Sequence, residues 1–239
     1  IITPLKDRFG SQIRTHYPLD VQPEVDIMLQ EAQSLDIETP NGPVVVDVPD
    51  YLTNVIATFS HLARSSNQVN QRSGVSVRLS VSNYEALSAN ALRRGLRSGE
   101  TSIVARVDDL GALAASSMGK IEIESIEEGR DGVIMESLMK GAVLTVFKDV
   151  VPPEQTRAVV DAFEAGAVAH TGESMTSAEL AAVAEQVDAL QTPVTILTGG
   201  DESPAAVAAA VEFILEGLHL SKRLNKDDSG DSATYRSRT

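Results

Sequence analysis

The side chains best able to bind an anion are crowded into one stretch. Between His61 and Arg106 stand seven arginines, Arg64, Arg72, Arg78, Arg93, Arg94, Arg97 and Arg106, against only Glu85 and Glu100. A guanidinium is a planar fork of donors that meets two phosphate or carboxylate oxygens at once. This +5 island therefore suits an anionic ligand, or acidic neighbours along a solvated helix face. The chain as a whole has the opposite sign. Its 20 basic and 34 acidic residues sum to −14, leaving −19 outside the island. That balance sets the expectation of no nucleic-acid partner and no anionic membrane partner.

Other chemistry is thinly represented. With no cysteine among the 239 residues, disulfides, zinc ribbons, iron–sulfur clusters and thiol catalysis are excluded. His16, His61, His170 and His219 have no i, i+4 histidine partner, so metal-ligand spacing is missing and no metal site is expected. Glu122, Glu124, Glu127, Glu128 and Asp131 form the densest carboxylate cluster, without the alternation of a calcium loop. No Gly-x-x-x-x-Gly-Lys-Ser/Thr occurs, so the chain has no P-loop. Gly199-Gly200 precedes a helix start as a phosphate cradle would, but Asp201 and Glu202 follow and would repel an anion.

The elements that must hold these residues are mainly helical. Aromatic residues are 4% of the chain and there is no tryptophan, which favours helices packed through alanine and aliphatic side chains. Helical periods follow Pro23, Pro49 and Ser80, the last stopped by Gly99. Between Asp131 and Val150 two apolar stripes run side by side, one carrying Met135 and Met139, so that helix is expected to be buried on more than one face, with both methionines in the core. Pro152-Pro153 opens the next helix, Thr176-x-x-Glu179 has capping-box spacing, and Ser203-Pro204 starts a helix ending near Lys222 and Arg223. Strand signals are confined to Gln12–Tyr17, Val44–Val48, Ile121–Ile123 and Val194–Leu197. From Asn225 the polar composition reads as a disordered tail. No run approaches 18 apolar residues, and the first residues lack the basic-then-apolar form of a signal peptide, so a soluble, cytoplasmic protein is expected.

Several segments resemble one family. Thr3-Pro4-Leu5-Lys6-Asp7-Arg8-Phe9-Gly10 is similar to the Leu-x-Asp-Arg-Phe segment of AAA+ ATPases grouped with magnesium chelatase subunit I and MoxR. Gln12-Ile13-Arg14-Thr15-His16-Tyr17-Pro18 resembles their last core strand, and Gly74-Val75-Ser76-Val77-Arg78-Leu79-Ser80 the lid element that carries the sensor-2 arginine. Further on, Gly119-Lys120-Ile121-Glu122-Ile123-Glu124, Glu127-Glu128-Gly129-Arg130 and the run from Val211 to His219 are similar to a bacterial subgroup called magnesium-chelatase-like or MoxR-like. The resemblance implies a mostly α chain: the tail of an AAA+ α/β core at 1–20, a helical lid at 21–125 and a C-terminal helical domain at 126–224, ahead of the tail at 225–239. Because the sequence opens at Ile1 without an initiator Met, the expectation is a piece of something longer, with the ATP-gripping motifs upstream and no hydrolysis by this piece alone.

The resemblance also implies roles. Arg8 matches the arginine finger that reaches the γ-phosphate held by a neighbouring subunit; the competing reading pairs it with Asp7 at a helix end. Arg78 matches the sensor-2 arginine, which touches nucleotide in its own subunit, against a plain surface role in the basic island. Arg14 is the second nucleotide-facing candidate, although a mid-strand position also suits a structural ion pair. The resemblance further implies ATP and Mg2+ bound mainly by the upstream domain, a homo-oligomeric ring, expected to be a hexamer, and a von Willebrand A-domain protein or metal-insertion complex as client. The alternative is a non-enzymatic helical module for protein interaction or oligomerisation.

Overall fold

The computed structural model describes residues 8–11, 13–33, 35, 37–39, 42–70, 74–123 and 129–238. It is mostly helical, with two small sheets. Nine α-helices are seen among the described residues: α1 (Val21–Glu31), α2 (Asp50–Ser65), α3 (Arg78–Ser98), α4 (Leu113–Ser117), α5 (Asp131–Val150), α6 (Pro153–Glu164), α7 (Ser177–Gln186), α8 (Gln191–Thr198) and α9 (Pro204–Leu220). A 3-10 segment, Val107–Ala112, leads into α4. No helix among the described residues is long and apolar enough to cross a membrane.

The local signals act where they should. Gly99 takes the left-handed conformation that stops α3, and Gly199 does the same for α8. Thr176 and Glu179 form a reciprocal capping box, and the Ser203 hydroxyl accepts from the Ala206 N–H. The α9 helix stops at Leu220, so Lys222 and Arg223 lie beyond it.

Two helices organise the core. Helix α9 is buried nearly all round, and its Phe213 ring lies 4.5 Å from Tyr51 of α2 and 6.0 Å from Phe147 of α5. Gly217 permits the α5 approach, since a Cβ there would fall 2.2 Å from the Phe147 ring. The apolar cluster runs without a break from Met28 to Tyr235, across the 125/126 boundary expected from the sequence. Met135 and Met139 are half-buried beside this cluster, so α5 is buried on a narrower face than its two stripes suggested.

One sheet joins β1 (Ile37–Thr39), β2 (Gly42–Asp47) and β3 (Ser102–Val104). β1 and β2 are antiparallel, whereas β2 and β3 are parallel, with Val46 opposite Ile103. The other sheet has the order β4 (Ala169–Gly172), β6 (Ser232–Ser237), β5 (Leu224–Asp228), all antiparallel. The tail expected to be disordered from 225 is thus a hairpin. Leu224, Ala233 and Tyr235 supply a small apolar face that packs on the core.

Two other strand expectations are corrected. Val194–Leu197 lies inside α8, where Val194 is buried and the β-branched run is wound into a turn entered at Gln191 and closed by Gly199. Ile13–Tyr17 forms no strand among the described residues. Ile13 is 85% exposed and nothing pairs with it, and Gln12 lies outside the described residues. Ile121 and Ile123 make only isolated bridges, to Met118 and Val69.

Candidate functional site

The site is built around a buried carboxylate. Glu24 lies on the face of α1 that also carries Met28, and it is fully buried. Both of its oxygens accept from the Arg64 guanidinium of α2, one of them at 2.8 Å, and Oε1 also accepts from the Ser80 hydroxyl of α3 at 2.5 Å. His61 Nε2 lies 3.1 Å from Oε2, and Ser80 and Ser60 are hydroxyl partners at 2.8 Å. One carboxylate therefore clamps three helices together. Removing water from such a group is tolerable because Arg64 and Ser80 donate to both of its oxygens.

Arg64 also holds the approach to α3. Its Nε donates to the Val75 carbonyl at 2.8 Å, and the Tyr17 ring covers its guanidinium at 4.8 Å. Gly74 has φ +69, and a Cβ there would fall 2.8 Å from the Tyr17 hydroxyl. Only a glycine fits that backbone and that close approach. The cluster thus ties the segment carrying Arg8 and Arg14, through Tyr17, to the loop at 74–77 that delivers Arg78.

Arg78 is the first residue of α3; it is exposed, and its backbone N–H donates to the Ser76 hydroxyl at 3.2 Å. Arg8 lies in an exposed turn, and Arg14 is exposed on the irregular segment. No described carboxylate pairs with any of the three, and no hydrogen bond or ion pair joins them to one another among the described residues. The ion pair that a strand position suggested for Arg14 is therefore not formed there. Asp7, the alternative partner of Arg8, lies outside the described residues, as does Arg72.

The other described arginines of the island are committed. Arg64 is bound to Glu24. Arg94 is 4% exposed, a correction to the solvated helix face that the island suggested. It donates to Asp109 Oδ1 at 3.2 Å and Oδ2 at 2.9 Å, and to the Val104 carbonyl at 2.8 Å. Burial alone would lower its pKa, yet the Asp109 hydrogen bond and charge raise it above the ordinary arginine value. Arg106 is 1% exposed and donates to the Met175 carbonyl and the Ser177 hydroxyl, at 3.0 and 2.8 Å. Burial lowers its pKa.

Glu212 of α9 faces Arg106 from 3.9 Å, too far for a hydrogen bond, and neither of its oxygens has a donor among the described residues. Burial prevails there and pushes the Glu212 carboxyl well above the usual carboxylate range, with Asp108 adding to the shift. Arg93 and Arg97 stand at 3.7 and 3.8 Å from Glu173 on the surface, where such pairs contribute little. The island of the sequence is therefore not a basic patch in space.

Neither the Glu24 cluster nor the Arg94–Asp109–Arg106 network was found from the sequence. Glu24 did leave a trace, an acid at i, i+4 spacing from Met28 on the apolar face of α1. Arg106 left none. Among the described residues no group of three histidine or acidic side chains could hold a metal ion. The sequence matches no family model, no curated protein and no solved structure.

Proposed function

We propose that this chain is the C-terminal part of a ring-forming AAA+ ATPase of the magnesium-chelatase or MoxR-like kind. Its ring, a hexamer in this reading, couples ATP hydrolysis to remodelling of a partner or to metal insertion, with a von Willebrand A-domain protein as a candidate client. The observation that carries the reading is a selective one. Of the nine arginines from Arg8 to Arg106, eight are described; five of those pair with carboxylates, and Arg8, Arg14 and Arg78 do not. Those three lie in the segments that resemble the family's nucleotide-facing elements.

Exposed guanidiniums without partners, in a protein of charge −14, are available to phosphate oxygens. Arg8 meets the γ-phosphate held by a neighbouring subunit and stabilises the charge that spreads over its oxygens in the transition state. Arg78, anchored at the start of α3 by Ser76 and the Glu24 cluster, contacts nucleotide within its own subunit. Its contact differs between nucleotide states, and so it biases the angle of the helices it belongs to. Arg14 is the second contact on the same segment. Nothing among the described residues fits Mg2+, and no step here runs through the metal.

The test is ATPase activity of the longer polypeptide that this reading requires. Arg8→Ala is expected to lower turnover by about 10³-fold or more while leaving nucleotide binding in place. Arg78→Ala is expected to weaken nucleotide binding as well. Unchanged turnover in Arg8→Ala would remove the finger assignment. The alternative, a docking module indifferent to nucleotide, draws on the exposed Phe9, Ile13 and Leu19. It requires a partner complex whose stability is the same with and without ATP.

A further inference from the structure

A cleft lies away from these arginines. It has a volume of about 620 Å³ and runs between α5 and the 107–117 segment, with its far end closed by the end of α9 and by β5. Sites for small organic molecules usually fall at about 300–1,000 Å³, with apolar walls and a few polar groups that set orientation. Phe59, Leu110, Leu113 and Val143 form an apolar floor, and Met135 and Met139 form one wall. Thioethers adapt their shape to a guest and make favourable contacts with aromatic rings. The half-burial of these two methionines thus gives the cleft a wall suited to an aromatic or aliphatic body.

The polar groups are unequal in sign. Glu136 and Lys140 satisfy each other at 2.5 Å along α5. At the closed end, Glu216 Oε2 accepts from Lys226 Nζ at 3.0 Å and from the Tyr235 hydroxyl at 2.8 Å, which engages the Lys226 charge. Asp108 and Asp228 form no ion pair of their own among the described residues, although both lie in the field of Lys226, and no described donor hydrogen-bonds to the Asp108 carboxylate. Asp108 keeps contact with solvent; partial desolvation against the cleft, helped by Glu216, pushes its carboxyl up, against the pull of Lys226 and Arg106.

We infer that this cleft binds a small organic cation: an apolar body on the methionine wall, carrying one ammonium or amidinium group that pairs with Asp108. The inference is independent of the nucleotide reading. It is tested on this chain with three probes that share one body, 4-phenylbutylamine, 4-phenylbutanol and 4-phenylbutyrate, titrated against protein labelled at the methionine methyls. Probes of this size bind in the millimolar range.

The amine is expected to move the Met135 and Met139 methyls while the fully buried Met28 stays put. It should bind about tenfold tighter than the alcohol, as one moderately shielded ion pair gives. Asp108→Asn should erase that preference without abolishing binding of the alcohol. Ala114→Trp, at an exposed position of the lining, should block all three probes with the helical circular dichroism unchanged. The inference is overturned if the carboxylate binds as well as the amine, if no probe shifts Met135 or Met139, or if the amine preference survives Asp108→Asn.

Discussion

Replacing Glu24 by alanine is the sharpest perturbation of the scaffold. The side chain is fully buried and accepts two hydrogen bonds from Arg64 and one from Ser80. Its loss leaves the Arg64 guanidinium, only 13% exposed, facing a cavity. Removing one partner of a buried pair costs about 3–5 kcal/mol. Arg64 keeps the Val75 carbonyl, the Tyr17 ring and some access to water, which places the loss at the lower end, about 3 kcal/mol. For a denaturant slope of about 2–3 kcal/mol per molar urea, that loss lowers the unfolding midpoint by about 1 M. With no tryptophan in the chain, far-ultraviolet circular dichroism is the natural probe. The double variant Glu24→Ala/Arg64→Ala should lose less than the sum of the singles, by about 1–3 kcal/mol. Amide exchange should also quicken at Val75–Leu79, because the loop at 74–77 hangs on Arg64. A Glu24→Ala loss below about 0.5 kcal/mol, the value of a surface pair, would refute the buried clamp. So would strict additivity in the double variant.

Two further outcomes follow from the core. The raised pKa of Glu212 means that the folded state holds a proton the unfolded chain releases near pH 4.3. Glu212 therefore stabilises the fold fully below about that pH, and its contribution is lost as pH rises toward the folded value, by at most about 1.4 kcal/mol per unit. Glu212→Gln keeps the shape but cannot ionise, so its stability relative to the native protein should grow between pH 5 and 8, and equal pH dependence would contradict the assignment. The comparison isolates Glu212 from Asp108, Asp109, Arg94 and Arg106, which face it in both proteins. Gly217→Ala places a methyl 2.2 Å from the Phe147 ring. Overpacking of about 2–3 kcal/mol, less about 1 kcal/mol of improved helix propensity, should lower stability by about 1–2 kcal/mol in urea unfolding; a stabilised variant would show that α5 and α9 can part freely.

Legibility from sequence followed the range over which each signal acts. The boundaries of α5, the capping box at Thr176 and the stop at Gly99 are set by residues within a turn of the event, and they read directly. The β5–β6 hairpin did not, because its apolar face is only Leu224, Ala233 and Tyr235, and its stability comes from α9, whose Glu216 accepts from the Tyr235 hydroxyl. Val194–Leu197 has strand composition, and tertiary burial of Val194 decided for helix. The arginine island was misleading because adjacency in sequence says nothing about depth. Arg94 points inward to Asp109 while Arg93 and Arg97 face solvent near Glu173. Met135 and Met139 have core spacing, but the wall they form is open to a cleft, a feature that depends on what stands opposite α5. For the candidate site, Arg8, Arg14 and Arg78 were expectations from resemblance alone, while the Glu24 cluster, which holds Tyr17 and the loop at 74–77 ahead of Arg78, needed coordinates.

The most direct measurement of the central claim is complementation between two inactive forms of the longer polypeptide. One carries Arg8→Ala, and the other lacks the phosphate-gripping lysine that this reading places upstream. Each alone should hydrolyse ATP at background, and mixing them should restore a substantial fraction of turnover, because intact pockets then meet intact guanidiniums across subunit boundaries. Mixed rings that form but stay at background would contradict a guanidinium donated between subunits.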